Sequence, residues 1–268
     1  MALDIVRAES VGHAAALVAG KDGARFLGGG TFLVRAVTAG HGTIRTVVLN
    51  DGLGLEGIDA GETVTIGSAA TMTDVARTPG LDFLAPVARS IGGPAVRNMA
   101  TVGGNLFAWS PYGDFAVALL ALGATVSRVT PDGETVVDLG AFLAGGPAGV
   151  VRSVQFARPA EGAFRYLKVT RKHPHGASVL AIAALLPVVD GRFAGVRVAY
   201  GAMARRPIRT GAVEAALEGR APGPEAVAAA VAVAAEGTAP EDDPQASAWY
   251  RREVLPVHLG RLLSGEAR

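Results

Sequence analysis

Apolar residues recur along this chain with two different periods, and the change from one to the other marks out its elements. Residues 62–67 alternate Val64 and Ile66 with polar neighbours, the two-residue period of a half-exposed strand. Residues 114–122 instead set Phe115, Ala118, Leu119 and Leu122 on one helical face, with Asp114 in the first turn and Gly123 just past the end. Short apolar runs at 24–27 and 46–49 predict buried strands. Ser10 predicts the N-cap of a helix running to Ala19. Residues 31–39 predict a helix or helical turn, and 72–77, 81–91 and 94–99 predict helices separated by proline and glycine. Residues 125–130 and 134–139 flank Pro131-Asp132-Gly133, whose proline presets one dihedral and whose glycine permits positive φ, so the pair reads as a hairpin.

Composition shifts near residues 157–162. Beyond it, 164–171, 179–189 and 196–203 read as three extended segments, with Asp190-Gly191 suited to a hairpin between the last two. Thr210 predicts the cap of a short helix closed by Gly219, and 224–236 is an alanine-rich helix. Asp243 and Pro244 stand as N-cap and first residue of a helix to Leu263, bent at Pro256. Three strands followed by three helices predict an α+β domain from about residue 160 onward.

Two glycine runs carry the candidate chemistry. The first is Leu27-Gly28-Gly29-Gly30-Thr31-Phe32-Leu33; the second is Arg97-Asn98-Met99-Ala100-Thr101-Val102-Gly103-Gly104-Asn105-Leu106. Both read as loops between apolar segments. Glycine lacks a Cβ, so consecutive glycines let backbone N–H groups approach a bulky anion such as a pyrophosphate. One such loop is an ordinary turn; two of matching chemistry point to the two jaws of one nucleotide site. Neither contains Lys or Arg between 28 and 33 or between 101 and 105, so the donors would be backbone amides, joined by the free N–H groups of the helical turn after Gly30. The first run is not a Rossmann fingerprint, because Leu33 occupies the place of its last glycine, and no Walker A sequence occurs.

Composition narrows the function classes. Half of the 268 residues are apolar, enough for a large core in one big domain or two ordinary ones. With 25 basic against 24 acidic residues there is no field for nucleic acid or acidic membranes, which leaves small ligands and protein partners. The absence of cysteine excludes disulfides, thiolate catalysis and any thiolate-held zinc or iron–sulfur cluster in these residues, and points to the cytoplasm. Asp4 and Glu9 interrupt the first 18 residues, so no signal peptide is expected. The Ala/Val run at 226–235 is about half a bilayer span, so no membrane span is expected either. His173-Pro174-His175 has no third ligand nearby and reads as a solvated loop, with no metal site expected. Ser178 lacks the closing glycine of a nucleophile elbow, and no catalytic residue is assigned.

Further motifs carry a resemblance. Leu27-Gly28-Gly29-Gly30-Thr31, Thr101-Val102-Gly103-Gly104-Asn105-Leu106, and Ser110-Pro111-Tyr112-Gly113-Asp114 followed by residues 118–124 resemble the FAD-binding subunits of molybdenum hydroxylases, the family of the carbon monoxide dehydrogenase medium subunit and the xanthine dehydrogenase flavin domain. Lys168-Val169-Thr170-Arg171, Tyr200-Gly201-Ala202-Met203 with Arg205, Pro207, Ile208 and Arg209, and Trp249-Tyr250-Arg251-Arg252 extend it over nearly the whole chain. The resemblance implies an α+β protein: an FAD-binding domain at residues 1–158 with the two-subdomain fold of the vanillyl-alcohol oxidase type (about 1–56 and 57–158), then a C-terminal α+β domain at 159–268 with a three-stranded sheet and helices. Carried over by position, Leu27, Gly28, Gly29, Gly30, Thr31, Phe32 and Leu33 with Ala100, Thr101, Val102, Gly103, Gly104 and Asn105 would embrace the FAD pyrophosphate. Asp114 would lie by the ribose or adenine, and Lys168 with Arg171 would face the flavin or its phosphates. Trp109 and Tyr112 are candidates for stacking on the flavin ring. The family departs here at Leu106-Phe107-Ala108-Trp109, which is bulkier than usual, and at Ser178, where some relatives carry a flavin-contacting lysine.

The implied activity is oxidoreductase chemistry shared among subunits. FAD would take electrons from clusters of an iron–sulfur partner and pass them to NAD or another acceptor, while a large molybdenum-cofactor subunit oxidises the substrate. The rival readings are a self-contained flavin-dependent reductase or oxidase of the same fold, and a flavin-free scaffold or binding module. Colour after incubation with FAD separates the last from the first two, and co-purification of metal-bearing chains separates the first from the second.

Overall fold

The computed structural model describes residues 3–40, 42–146, 148–173 and 175–266. Of the histidine loop, Pro174 therefore lies outside the described residues, and His173 and His175 are exposed. The chain forms two compact units. The first comprises Met1–Arg89, Gly93–Ala108 and Ala124–Phe156; the second comprises Ser90–Gly92, Trp109–Gly123 and Ala157–Arg268.

In the first unit, strands Asp4–Arg7, Thr46–Leu49 and Ala24–Phe26 form a three-stranded parallel sheet in that spatial order, Asp4 and Ala24 both registering with Thr46. Helix Val11–Gly20, whose N-cap Ser10 hydroxyl accepts from the His13 amide at 3.1 Å, carries the chain from one outer strand to the other, and the short helix Leu33–Thr38 lies in the crossover that parallel neighbours Ala24–Phe26 and Thr46–Leu49 require. Ala8, Val11, Ala14 and Ala15 of this segment pack with Val48, Leu55, Val129 and Val150. A second, five-stranded sheet has the order Ile58–Ala60, Thr63–Gly67, Val150–Ala157, Thr125–Thr130, Gly133–Asp138. Its central strand, Val150–Ala157, is absent from the sequence expectation, and so is Leu139–Ala144, a helix capped by Asp138 accepting from the Ala141 amide at 2.9 Å. The predicted hairpin holds, with Thr130 opposite Gly133 across the Pro131-Asp132 turn. The helix expected over 81–91 shrinks to Ala85–Arg89, because Pro86 has no N–H to bond back to a preceding turn and fits only at a helix start.

In the second unit, an antiparallel sheet runs Ile208–Arg209, Arg197–Gly201, Ser178–Leu185, Phe164–Thr170. The two-residue strand Ile208–Arg209 is a fourth member beside the three expected. Every residue of Ser178–Leu185 is buried, because the sheet is covered on both faces. Leu180, Ile182 and Ala184 point to helices Gly211–Leu217, Pro224–Ala232 and Ala248–Ser264. Ala181 and Gly201 point the other way, where a Cβ on Gly201 would meet Val117 at 2.7 Å. Val117 belongs to helix Asp114–Ala121, all eight residues of which are buried rather than one face only.

The last helix starts later than its sequence signals suggest. Ser247 is the N-cap, accepting from the Tyr250 amide at 3.1 Å. Asp243 instead accepts from the Gln245 and Ala246 amides and binds Arg251 Nη2 at 2.7 Å. Asp190 and Gly191, at φ of 49° and 73°, make the expected tight turn, joining the two-residue strands Val188–Val189 and Arg192–Phe193.

Candidate functional site

The two glycine runs meet within the first unit. Leu27 leaves strand Ala24–Phe26 with its amide still bonded to Val48 O at 2.8 Å, which aims Gly28-Gly29-Gly30 off the end of the parallel sheet. Gly30 has φ of +73°, and its carbonyl accepts from Val34 at 2.9 Å to open the short helix Leu33–Thr38. A Cβ on Gly28 would lie 2.8 Å from Thr101 Oγ1, and one on Gly29 would lie 1.4 Å from Met99 O. Glycine at 29 is thus required by the approach of the second run's backbone, and glycine at 28 by the Thr101 hydroxyl packed against it.

The second run is not a loop, as its glycines suggested. Val102–Leu106 is a short helix, capped by Thr101, whose hydroxyl accepts from the Gly104 amide at 3.2 Å. Two outside contacts hold it in a helical turn that its glycines disfavour: Val102 N–H donates to Ala70 O at 2.9 Å and Gly103 N–H to Ser68 O at 2.8 Å. Gly103 is compelled by packing, since a Cβ there would lie 2.7 Å from Ser68 Cβ. Gly104 is different. Its Cβ would meet only Thr101 Oγ1 at 3.0 Å and the Gly29 nitrogen at 3.9 Å, so its Cα faces the first run.

The two runs differ in their hydrogen bonds. The amides of Val102, Gly103, Gly104 and Asn105 are all engaged inside the protein, Asn105 with Thr101 O at 3.0 Å. Among the described residues, the amides of Gly28, Gly29, Gly30 and Thr31 donate to nothing, although all four residues are half-buried. Partly buried N–H groups without acceptors are costly in isolation and bind an anion strongly in compensation. The unengaged amides therefore lie on the first run, and the second run, with its own amides spent, packs against it. Four unengaged amides on a stretch that carries no Cβ at residues 28–30 are a donor set whose chemistry suits an anion such as a diphosphate. Phe32 and Met99 flank the row and are both about half exposed.

Asp114, Lys168 and Ser178 form a separate, buried cluster in the second unit. Lys168 Nζ lies 2.8 Å from Asp114 Oδ2, with the two side chains only 7% and 8% exposed. Ser178 donates from Oγ to Asp114 Oδ1 at 2.6 Å, and Lys168 donates to Ser90 O at 2.9 Å. Both carboxylate oxygens of Asp114 are thus taken by protein groups. Ser90 Oγ lies 3.2 Å from the Tyr166 hydroxyl. Burial, then the Asp114 charge, holds the Tyr166 phenol well above its ordinary pKa, against the opposing Ser90 hydrogen bond. Arg171 donates to Pro244 O at 3.1 Å, and Trp109 and Tyr112 are exposed, Trp109 to 69%. Ser68, Ala70 and Ser90 act through main-chain carbonyls, which leave no mark in residue type. No group of three or more His, Cys, Asp and Glu among the described residues could hold a metal, and none of their helices is long and apolar enough to cross a membrane.

Comparison with known proteins identifies the family. Residues 1–156 match the family described as the FAD binding domain in molybdopterin dehydrogenase, and residues 163–265 match the CO dehydrogenase flavoprotein C-terminal domain. The carbon monoxide dehydrogenase medium chain of Afipia carboxidovorans is 30% identical over 276 residues, covering 96% of this chain and 94% of its own. A putative xanthine dehydrogenase FAD-binding subunit of Escherichia coli is 29% identical over 218 residues, 76% of this chain and 75% of its own. A solved structure of carbon monoxide dehydrogenase from Hydrogenophaga pseudoflava superposes with a TM-score of 0.91 at 26% identity, covering 98% of this chain and 96% of that one.

Proposed function

This chain belongs to the molybdopterin dehydrogenase FAD-binding family, an oxidoreductase family with FAD as cofactor, and from that premise we propose that it is the electron-transfer subunit of a multi-subunit molybdenum hydroxylase. In this reading residues 1–158 bind the cofactor and 159–268 form the C-terminal domain. Electrons arrive from clusters in an iron–sulfur subunit, leave to NAD or another acceptor, and originate from substrate oxidised in a large molybdenum-cofactor subunit. When bound, FAD supplies the conversion between single-electron and paired-electron transfer.

The chain's own residues bind and orient. The amides of Gly28, Gly29, Gly30 and Thr31 neutralise the diphosphate without a basic side chain. Thr101 and Gly103 hold the helical turn behind them, and Gly104 keeps the space in front of Gly29 open. The absence of cysteine from these 268 residues supports an external source of electrons, and a cytoplasmic setting belongs to the same proposal.

The observation that carries the reading is the row of four acceptor-less amides beside a glycine-only approach. Its test is mild isolation of the native protein, with flavin, iron and molybdenum assayed together. A stoichiometric complement of FAD with iron- and molybdenum-bearing companions is expected. A lone flavoprotein that turns over a substrate by itself would overturn the subunit assignment, and protein that stays colourless after incubation with FAD would overturn flavin binding.

A further inference from the structure

The chain alternates between its two units over residues 89–124. Ser90–Gly92 belongs to the second unit, Gly93–Ala108 to the first, and Trp109–Gly123 to the second again. The excursion Gly93–Ala108 carries the second glycine run. Its outgoing stem contains Ser90 and its returning stem contains Asp114. The ammonium of Lys168 engages both, the Ser90 carbonyl at 2.9 Å and the Asp114 carboxylate at 2.8 Å. Ser178, itself fully buried, fixes the other carboxylate oxygen.

We propose that Lys168 is a positioning residue, a clasp that closes the base of the 93–108 excursion and thereby sets the wall of the glycine cradle without touching the cofactor. Tying together the two stems of a chain excursion lowers the conformational freedom open to the residues between them, beyond what the Ser68 and Ala70 contacts already fix. The segment so restrained is the one whose Met99 carbonyl and Thr101 hydroxyl stand against Gly29 and Gly28. A lysine suits the task because its ammonium accommodates a carbonyl and a carboxylate at once, and burial shields the pair from salt.

The test measures amide hydrogen exchange and FAD affinity in the full chain carrying Lys168→Met. Exchange is expected to accelerate across 93–108 and to stay unchanged in strand residues 181–185, while FAD binding weakens between about twofold and thirtyfold, the range of energetic coupling through such networks. Since Lys168→Met alone leaves Asp114 a buried, unpaired carboxylate, the doubly apolar Asp114→Leu/Lys168→Met chain is measured beside it and should fold and show the same exchange pattern. Weakened FAD binding with exchange at 93–108 unaltered would overturn the clasp in favour of direct contact with the cofactor. Faster exchange spread evenly through the second unit, no change in either quantity, or failure of both variants to fold would also overturn it. The affinity measurement rests on the flavin reading, whereas the exchange measurement does not, so parent protein that binds no FAD would sink that reading and leave the clasp to be judged by exchange.

Discussion

Gly29 stands so close to Met99 that a Cβ built on it would lie 1.4 Å from the Met99 carbonyl oxygen. No rotamer can relieve such an overlap, because both partners are backbone. Gly29→Ala is therefore expected to separate the two runs and to lower both FAD content and melting temperature. Gly104→Ala meets only the Thr101 hydroxyl at 3.0 Å and should keep the fold while weakening FAD by about tenfold or more, the cost of filling space before the donor row. Flavin titration and thermal melts of the two variants check the contrast; equal flavin content in a well-folded Gly104→Ala would count against the cradle.

Gly103 behaves unlike its neighbour. From the sequence, valine at either Gly103 or Gly104 should drop flavin affinity with the fold largely kept. The structure corrects this for Gly103, whose Cβ would lie 2.7 Å from Ser68 Cβ and 3.0 Å from Ser68 O. Gly103→Val is expected to cost about 1–3 kcal/mol of stability, as overpacking does. Urea unfolding would register it in the absence of any flavin.

Arg251 is fully buried, with Nε donating to Val179 O at 2.8 Å, Nη1 to Ala246 O at 3.2 Å and also to Glu241 O, and Nη2 to Asp243 at 2.7 Å. Removing it strands a carboxylate and several carbonyls. Arg251→Met should destabilise the chain by about 3–5 kcal/mol. Arg251→Lys should rescue little, because one ammonium cannot reproduce the planar fork that reaches four acceptors. Denaturant midpoints of the three proteins decide the matter, and a lysine variant as stable as the parent would refute it.

Alkaline pH should weaken the fold through two phenols. Burial raises the pKa of Tyr166, reinforced by Asp114, and burial raises that of Tyr200 as well. Once unfolded, both ionise near 10. Unfolding above that pH therefore releases protons that the native state retains, so the stabilising contribution is complete below about 10 and declines as pH climbs towards the folded values. Urea midpoints at stepped pH should show the decline, and Tyr166→Phe should flatten it. An identical alkaline limb in parent and variant would remove Tyr166 from the account.

Local chemistry made much of this fold legible. Ser10, Thr210, Pro131-Asp132-Gly133 and Asp190-Gly191 each act through a few neighbouring atoms, so residue type alone announced them. Strand Val150–Ala157 carried a usable signal, with Val150, Val154 and Phe156 buried around an exposed Arg152, but the glycines before it obscured the period. Asp243 imitated an N-cap because its side chain does bind amides ahead of it; the competing partner, Arg251, is eight residues away. Asp114 and Lys168 offered no clue to their pairing, 54 positions apart, since only the tertiary fold joins them. The glycine runs were legible as partners. That the second run's amides are spent inside the protein while the first run's are not was hidden, because it depends on the carbonyls of Ser68, Ala70 and Thr101.

Helix Asp114–Ala121 lies inside the second unit with every residue buried and Gly201 against Val117. A helix with no outward side leaves selection no neutral ground: larger residues collide, smaller ones open voids, and a polar residue is tolerated only where partners meet it, as Lys168 and Ser178 meet Asp114. Libraries randomised across these eight positions should return a far narrower alphabet than those built on the solvent-facing turns of Ala248–Ser264, which makes the inner helix the part of this chain least open to drift or redesign.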